Sequence, residues 1–342
     1  MLGEGAPAQC RRMTDTTTFL SSRLPFDPDQ MDRLEAALPE GRVLRVDPED
    51  DAAVAAALAE AEIAILHSDL DPRFIEAPRL RWVHCDHAGL TKSARPEVFE
   101  RGLIVTGSAG RSGPALAEHV MMFSLLLCAR YPEFYEAQKR HQWRGLPDMD
   151  NIFALNGRTM GIIGMGNTGK ALATRAKAFG MTVLGYRRRD EPAPEGVDQM
   201  YCSDRGDGIE EILERSDIVA LVINLSDATH HMIGAAEFAR MKNSAYLVNL
   251  ARGGVVDQGA LISALTEGQI AGAGIDVMTP EPLPADHPLW ETPNLLITPH
   301  FSAKLRDRSD RSLEMILENI RRYRTGEEMI NQISREDLWS AS

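Results

Sequence analysis

Short apolar runs alternate with Ala-, Leu- and Glu-rich stretches along most of this chain. Leu34–Leu38 and Ala52–Ala61 carry the composition of helices. Glu62–Leu66, Leu80–His84 and Leu103–Val105 are short, apolar and strand-like. Alternation of this kind up to about residue 110 predicts a parallel sheet. Pro114–Arg130 predicts one long apolar helix, and Pro132–Asn156, polar and rich in aromatic, Gly and Pro residues, predicts an extended arm. A second series starts at Arg158, with a strand over Thr159–Ile163, a helix over Asn167–Phe179 and a strand over Thr182–Tyr186. Asp217–Val222, Ala245–Leu250, Gly272–Asp276 and Leu295–Thr298 continue it as apolar runs, with a helix over Gln258–Glu267 among the segments between them. Asp307–Arg324 closes the chain as an amphipathic helix. No solenoid-period repeat or low-complexity tract interrupts the pattern, so the expectation is two related α/β lobes.

Length agrees. A single core stops growing near roughly 250–300 residues, and this chain has 342. Its net charge of −13 disfavours nucleic acid and anionic membranes as partners, so any basic spot should be local and purposeful. Cys10, Cys85, Cys128 and Cys202 are scattered without a CxxC pair, which suits free thiols in a reducing, cytoplasmic setting. The N-terminal MLGEGAPAQCRRMTD lacks the apolar centre of a signal peptide, and residues before Met13 read as a tail outside the fold. The longest apolar run, Val120–Ala129, is interrupted by Ser124 and falls well short of the roughly 20 residues that span a bilayer.

Chemistry enters at Gly164-Met165-Gly166-Asn167-Thr168-Gly169, a G-x-G-x-x-G that follows a predicted strand and opens a predicted helix. In that setting the glycines let the backbone approach a pyrophosphate seated on the helix N-terminus. The bland reading is a structural turn. The next strand ends in GYRRRD, where a cofactor with a free ribose 2′-OH would meet an acidic residue. Arg187, Arg188 and Arg189 stand there instead, and guanidinium groups suit a 2′-phosphate. NADP(H) is therefore the expected preference, with NAD(H) possible if the arginines form only a solvated turn.

Three further signals each follow an apolar run: NLARGGVVD at 249–257, GIDVMTPEPL at 274–283 and ITPHFSA at 297–303. Open α/β sheets bind ligands at the carboxyl ends of their strands, so the three are expected to converge near the glycine loop. In these motifs and their order the chain resembles the D-isomer-specific 2-hydroxyacid dehydrogenases, over nearly everything from Glu62 to Glu328. The resemblance implies two Rossmann-like or flavodoxin-like lobes with parallel sheets and an active-site cleft between them. It implies a discontinuous substrate-binding domain, 14–112 with 304–336, and an NAD(P)-binding domain, 113–303, including a dimerisation helix and arm.

By the same resemblance, Arg252, Glu281 and His300 form the active site. Imidazole titrates near neutrality and suits proton delivery to a carbonyl oxygen; a carboxylate would orient it; a guanidinium would hold the substrate and stabilise charge on the oxygen. Glu281 also argues against formate oxidation, for which relatives carry glutamine. Asp276 corresponds to an aspartate that holds the nicotinamide carboxamide, and Leu225, Thr229 and Ala251 complete the expected cofactor contacts. Trp143, in RHQWRG, either reaches toward a partner subunit in a homodimer or covers its own subunit's core.

HCDHAGLTK, at 84–92, looks like a metal site, but its ligands are too few for a closed centre and would fall on opposite faces of a continuing strand. The resemblance makes Ala88, Gly89 and Leu90 a main-chain nest for the substrate carboxylate, with His84, Asp86, His87 and Lys92 expected to border the substrate's variable end. The activity it implies is NADPH-dependent reduction of small 2-keto acids, glyoxylate or hydroxypyruvate first, to D-2-hydroxy acids. Two alternatives stay open: an NAD(H)-sensing corepressor and a phosphite-type dehydrogenase.

Overall fold

A computed structural model of the chain describes residues 16–38, 40–144 and 152–340. The chain divides into two compact units, Met1–Arg111 with Leu305–Ser342, and Ser112–Lys304.

In the first unit the chain runs β1 (Thr16–Ser21), α1 (Pro28–Ala37), β2 (Gly41–Val46), α2 (Asp51–Leu58), β3 (Ile63–Leu66), α3 (Pro72–Glu76), β4 (Trp82–Cys85), α4 (Pro96–Arg101) and β5 (Ile104–Gly107). The strands are all parallel and lie in the order β2-β1-β3-β4-β5, the flavodoxin-like arrangement. Local chemistry starts the helices. Asp27 accepts from the Gln30 N–H while the Gln30 side chain returns to the Asp27 N–H, and Asp50 and Asp71 cap α2 and α3. β3 and β4 are buried throughout, as a sheet covered on both faces requires.

The second unit runs α5 (Gly113–Cys128), α6 (Tyr131–Lys139), β6 (Thr159–Ile163), α7 (Asn167–Ala178), β7 (Thr182–Arg187), β8 (Gln199–Cys202), α8 (Glu210–Arg215), β9 (Ile218–Leu221), α9 (Ala235–Phe238), β10 (Tyr246–Asn249), α10 (Gln258–Thr266), β11 (Gly272–Ile275) and β12 (Leu295–Ile297). Its seven parallel strands lie in the order β8-β7-β6-β9-β10-β11-β12. Renumbered from β6, the first six follow 3-2-1-4-5-6, the dinucleotide-binding order, and it reverses between β6 and β9. The chain then returns to the first unit as α11 (Arg308–Thr325). Its Leu313, Ile316 and Ile320 pack with Leu34 and Trp82, and Glu314 pairs with Arg33 at 2.6 Å.

Two expectations need correction here. Residues 131–139 form α6 rather than extended chain: Pro132 sits at the start, where it blocks no helical hydrogen bond, and Ala137 is buried. The rest of the expected arm includes 145–151, which lie outside the described residues, as do the N-terminal tail and Cys10. β1 and β2 were also not anticipated. TTTFLS and GRVLRV mix polar and apolar residues, yet Thr16, Thr18 and Ser21 are buried, so only tertiary packing marks β1 as a strand. Cys85, Cys128 and Cys202 are free thiols, all buried. No helix among the described residues is long and apolar enough to cross a membrane.

Candidate active site

The glycine loop joins β6 to α7 at the point where the strand order reverses. Gly164 has φ +109, a conformation that favours glycine, and a Cβ there would lie 2.6 Å from the Val222 carbonyl oxygen, just beyond β9. A Cβ on Gly169 would stand 2.1 Å from the Gly164 oxygen. Gly166, the residue before α7, has nothing within 4 Å of its would-be Cβ. The loop is thus packed tight against the strands beneath and open above, where the N-terminus of α7 favours negative charge. These residues fit a dinucleotide pyrophosphate.

At the end of β7, Arg187 turns inward. Its guanidinium meets the Glu191 carboxylate at 3.0 Å, the Pro192 carbonyl at 3.0 Å and the Glu191 carbonyl. Of the three basic residues expected to face a 2′-phosphate, it is therefore engaged with the loop that follows it, as its burial demands. Arg188 is half-buried and Arg189 exposed. Beyond β9, Thr229 is buried, donating to the Asn224 carbonyl at 2.7 Å and accepting from the Ser226 N–H at 2.8 Å; it braces the turn that carries Leu225. Ala251 is buried after β10, its N–H held by the Asn249 side chain at 3.0 Å.

Arg252, Glu281 and His300 come together in the second unit. His300 Nδ1 lies 2.7 Å from Glu281 Oε2, and Oε1 accepts from the Met278 N–H at 3.0 Å. Burial raises the Glu281 carboxyl, but the His300 and Met278 hydrogen bonds and the charges of His300 and Arg252 outweigh it, so the group stays below the usual carboxylate range. An ionised Glu281 makes Nδ1 the protonated nitrogen and leaves Nε2 to exchange a proton with a ligand. The segment carrying Arg252 reaches this pair because Gly253 packs directly on Met278; a Cβ there would lie 2.3 Å from its carbonyl carbon.

Asp276, buried at the end of β11, spends its carboxylate on the His300 segment. It accepts from the Phe301 N–H at 2.9 Å, the Ser302 N–H at 3.1 Å and the hydroxyls of Thr298 and Ser302. His119 of α5 adds a 3.0 Å contact to Thr298 Oγ1. His300 itself has φ +52, and its N–H donates to the carbonyls of Asp276 and Thr298. A left-handed non-glycine residue costs of order 1–3 kcal/mol, and this bonding holds the ring in place against it. ITPHFSA contains Thr298 and Ser302, but nothing in that pattern marked their hydroxyls as a lock for the histidine.

Ala88, Gly89 and Leu90 lie in the first unit, just past β4. Their N–H groups donate to no acceptor among the described residues, the property an anion nest needs. His84 and Asp86 need correction. Both are fully buried, so they do not border a substrate's variable end. Both His84 ring nitrogens are used, 3.0 Å from Thr106 Oγ1 and 3.1 Å from Ser108 Oγ, and burial pushes its pKa down to about 4. His87 and Lys92 are more exposed. Trp143, 91% exposed, covers no core among the described residues of its own chain.

Residues 121–302 match the model of the D-isomer specific 2-hydroxyacid dehydrogenase, NAD binding domain. The chain belongs to the D-isomer specific 2-hydroxyacid dehydrogenase family. It is 36% identical to a glyoxylate reductase of Korarchaeum cryptofilum, over 81% of this chain and 83% of the relative. It is 35% identical to glyoxylate/hydroxypyruvate reductase B of Klebsiella pneumoniae, over 80% and 85%. A D-isomer specific 2-hydroxyacid dehydrogenase from Xanthobacter autotrophicus, solved with NADPH and MES, superposes with a TM-score of 0.78 at 29% identity, over 94% of this chain and 98% of that one. This member of the 2-hydroxyacid dehydrogenases is thus an oxidoreductase of two parallel-sheet α/β domains with a nicotinamide cofactor.

Proposed function

We propose that this dehydrogenase reduces small 2-keto acids, glyoxylate or hydroxypyruvate among them, to D-2-hydroxy acids with NADPH. The observation that carries the reading is the His300–Glu281 pair beside Arg252, a proton donor, its orienter and a cation in one cluster. The bound reduced nicotinamide supplies the hydride. His300 gives the carbonyl oxygen its proton from Nε2, Glu281 stabilises the imidazolium, and Arg252 stabilises negative charge developing on that oxygen. Gly164, Gly166, Asn167, Thr168 and Gly169 seat the pyrophosphate, with Leu225, Thr229, Ala251 and Asp276 lining the rest of the cofactor path. The Ala88–Leu90 amides receive the substrate carboxylate. Since Arg187 is turned inward, we assign the 2′-phosphate to Arg188 and Arg189. Relatives of this kind support the substrate class, since both curated relatives described above are named as glyoxylate or hydroxypyruvate reductases.

A homodimer belongs to the same reading. Met122 and Leu125 of α5, Tyr131, Phe134 and Tyr135 of α6, and Trp143 are large apolar side chains left exposed, more than a lone subunit gains by showing. A cytoplasmic location fits the free thiols.

The test is a kcat/KM panel of 2-keto acids with NADPH and with NADH, repeated for His300→Ala. Turnover should collapse in the variant, by on the order of a hundredfold or more, while cofactor binding persists. Near-normal turnover in the variant would refute the role of His300, and an NADH preference would refute the assignment of Arg188 and Arg189.

A further inference from the structure

In the first unit one arginine, Arg308, has no hydrogen-bonded or ion-paired side-chain partner among the described residues. Arg111, at the end of that unit's first segment, is buried and donates to the carboxylate and, at 3.1 Å, the carbonyl of Asp86; it also reaches Ser312 Oγ of α11 at 2.9 Å. Ser108 donates to the same carboxylate at 2.8 Å, and His84 is kept uncharged by burial. Asp86 thus meets Arg111 through one carboxylate oxygen, Oδ1. Arg308, one turn before Ser312, lies close enough that its charge works against that of Arg111.

Arg308 makes no side-chain hydrogen bond or ion pair among the described residues, and its Nε is buried without a partner. The acids beside it in sequence are engaged elsewhere: Asp307 with Arg311 at 2.7 Å, and Asp310 with Gln30 at 2.6 Å. Asp47 and Glu49, beyond β2, are taken by Arg23. The cluster thus carries two guanidinium groups against one carboxylate. Leaving a partly buried cation unpaired costs free energy, which an incoming anion would recover.

Arg111, the member of this cluster bonded to Asp86, lies next to the proposed carboxylate nest. Arg111 binds the carbonyl of Asp86, one residue before His87, and the Ser108 N–H binds the carbonyl of His87 at 2.9 Å. Gly107 lets β5 lie directly under the loop, since a Cβ there would be 2.8 Å from the His87 oxygen and 2.9 Å from a Leu90 methyl. The nest is thereby packed on β5 beside Arg111.

We propose, building on the 2-keto acid reading above, that Arg308 receives a second acidic group and that the preferred substrate is a 2-oxo dicarboxylic acid. One carboxylate sits on the Ala88–Leu90 amides and the other on the Arg308 guanidinium, with Arg111 adding field and Asp86 fixing Arg111 in place.

The test measures kcat/KM for oxaloacetate and 2-oxoglutarate against 2-oxobutanoate and 2-oxopentanoate, their monocarboxylate counterparts, with NADPH. The diacids should be favoured by about tenfold or more, the size of one charge-assisted contact. Arg308→Gln should bring that ratio close to one, and Arg308→Lys should keep part of it. A wild-type ratio near one, or a ratio unmoved in Arg308→Gln, overturns the proposal, and so does a phosphorylated 2-oxo acid preferred over both diacids. Calorimetric binding of 2-oxoglutarate in the presence of NADP+ separates this subsite from the parent reading. With no turnover of any 2-keto acid the parent reading fails, yet binding that Arg308→Gln abolishes still supports the subsite, and binding that it leaves intact overturns it.

Discussion

Acidification should unlock the first unit through His84. The folded protein keeps this ring uncharged until about pH 4, against an ordinary value of 6.5, because burial outweighs the pull of Asp86 and acts together with Arg111. Between those values the unfolded chain binds a proton that the folded chain refuses, so stability falls as pH falls. Evaluated at pH 4.5, the single site removes about 2–3 kcal/mol, while at pH 7 it removes well under about 1 kcal/mol. His84→Gln keeps a donor and an acceptor for Thr106 and Ser108 but cannot take the proton. The assay is urea unfolding of both proteins at pH 7 and at pH 4.5, with Trp82 as a local fluorescent reporter, since its indole donates to the same Thr106 hydroxyl at 2.9 Å. The variant is expected to start out less stable at pH 7, by about 1–2 kcal/mol from imperfect hydrogen bonding. It should then lose about 2 kcal/mol less than the wild type on going to pH 4.5, other groups being common to both. Equal losses in the two proteins would show that His84 is not held neutral, and the account of the buried cluster would fall with it.

Gly169→Ala would place a methyl 2.1 Å from a backbone oxygen that cannot move away cheaply, so thermal stability should drop by about 1–3 kcal/mol and NADPH should bind more weakly; a fluorescence titration and a melting curve indistinguishable from wild type would contradict the packing. Burial pushes the thiols of Cys85 and Cys128 up to about 12, so neither should react with a thiol-specific disulfide reagent at pH 8 in the native protein, and both should react in urea; peptide mapping that finds either labelled in the native state refutes this. Asp276→Ala removes the carboxylate that accepts from Thr298, Phe301 and Ser302, and kcat should fall more than tenfold with little change in overall fold, measured by steady-state kinetics beside circular dichroism; an unchanged kcat removes the Asp276 carboxylate from the positioning of His300.

The parts of this protein that could be read from sequence are those whose physics is local. A strand, a glycine turn and a helix N-terminus are adjacent in the chain, so the spacing Gly164, Gly166, Gly169 already carries the geometry of the loop, and α7 begins where that spacing places it. The motifs around Arg252, Glu281 and His300 were legible as motifs, and the meeting of Glu281 and His300 at 2.7 Å needed only the rule that strand ends share one side of the sheet. What escaped notice depends on partners far apart in sequence. Asp276 gave no sign that it would bind Thr298 and Ser302, and RRRD gave none that Arg187 would fold onto Glu191.

HCDHAGLTK shows the difference within nine residues. The backbone role proposed for it depends only on a local turn, whereas the fate of its side chains was decided by β5, by Arg111 and by α11. Asp86 meets Arg111 across 25 positions, and Arg111 meets Ser312 across 201. A histidine and an aspartate that look like ligands on paper become a neutral ring and a counterion once those segments close over them. The charge that survives this burial is on Arg308, a residue that no motif pointed to. Substrate preference in this family member is therefore argued best from where charge is left unbalanced after folding, and a residue outside every recognisable motif becomes the one to mutate first.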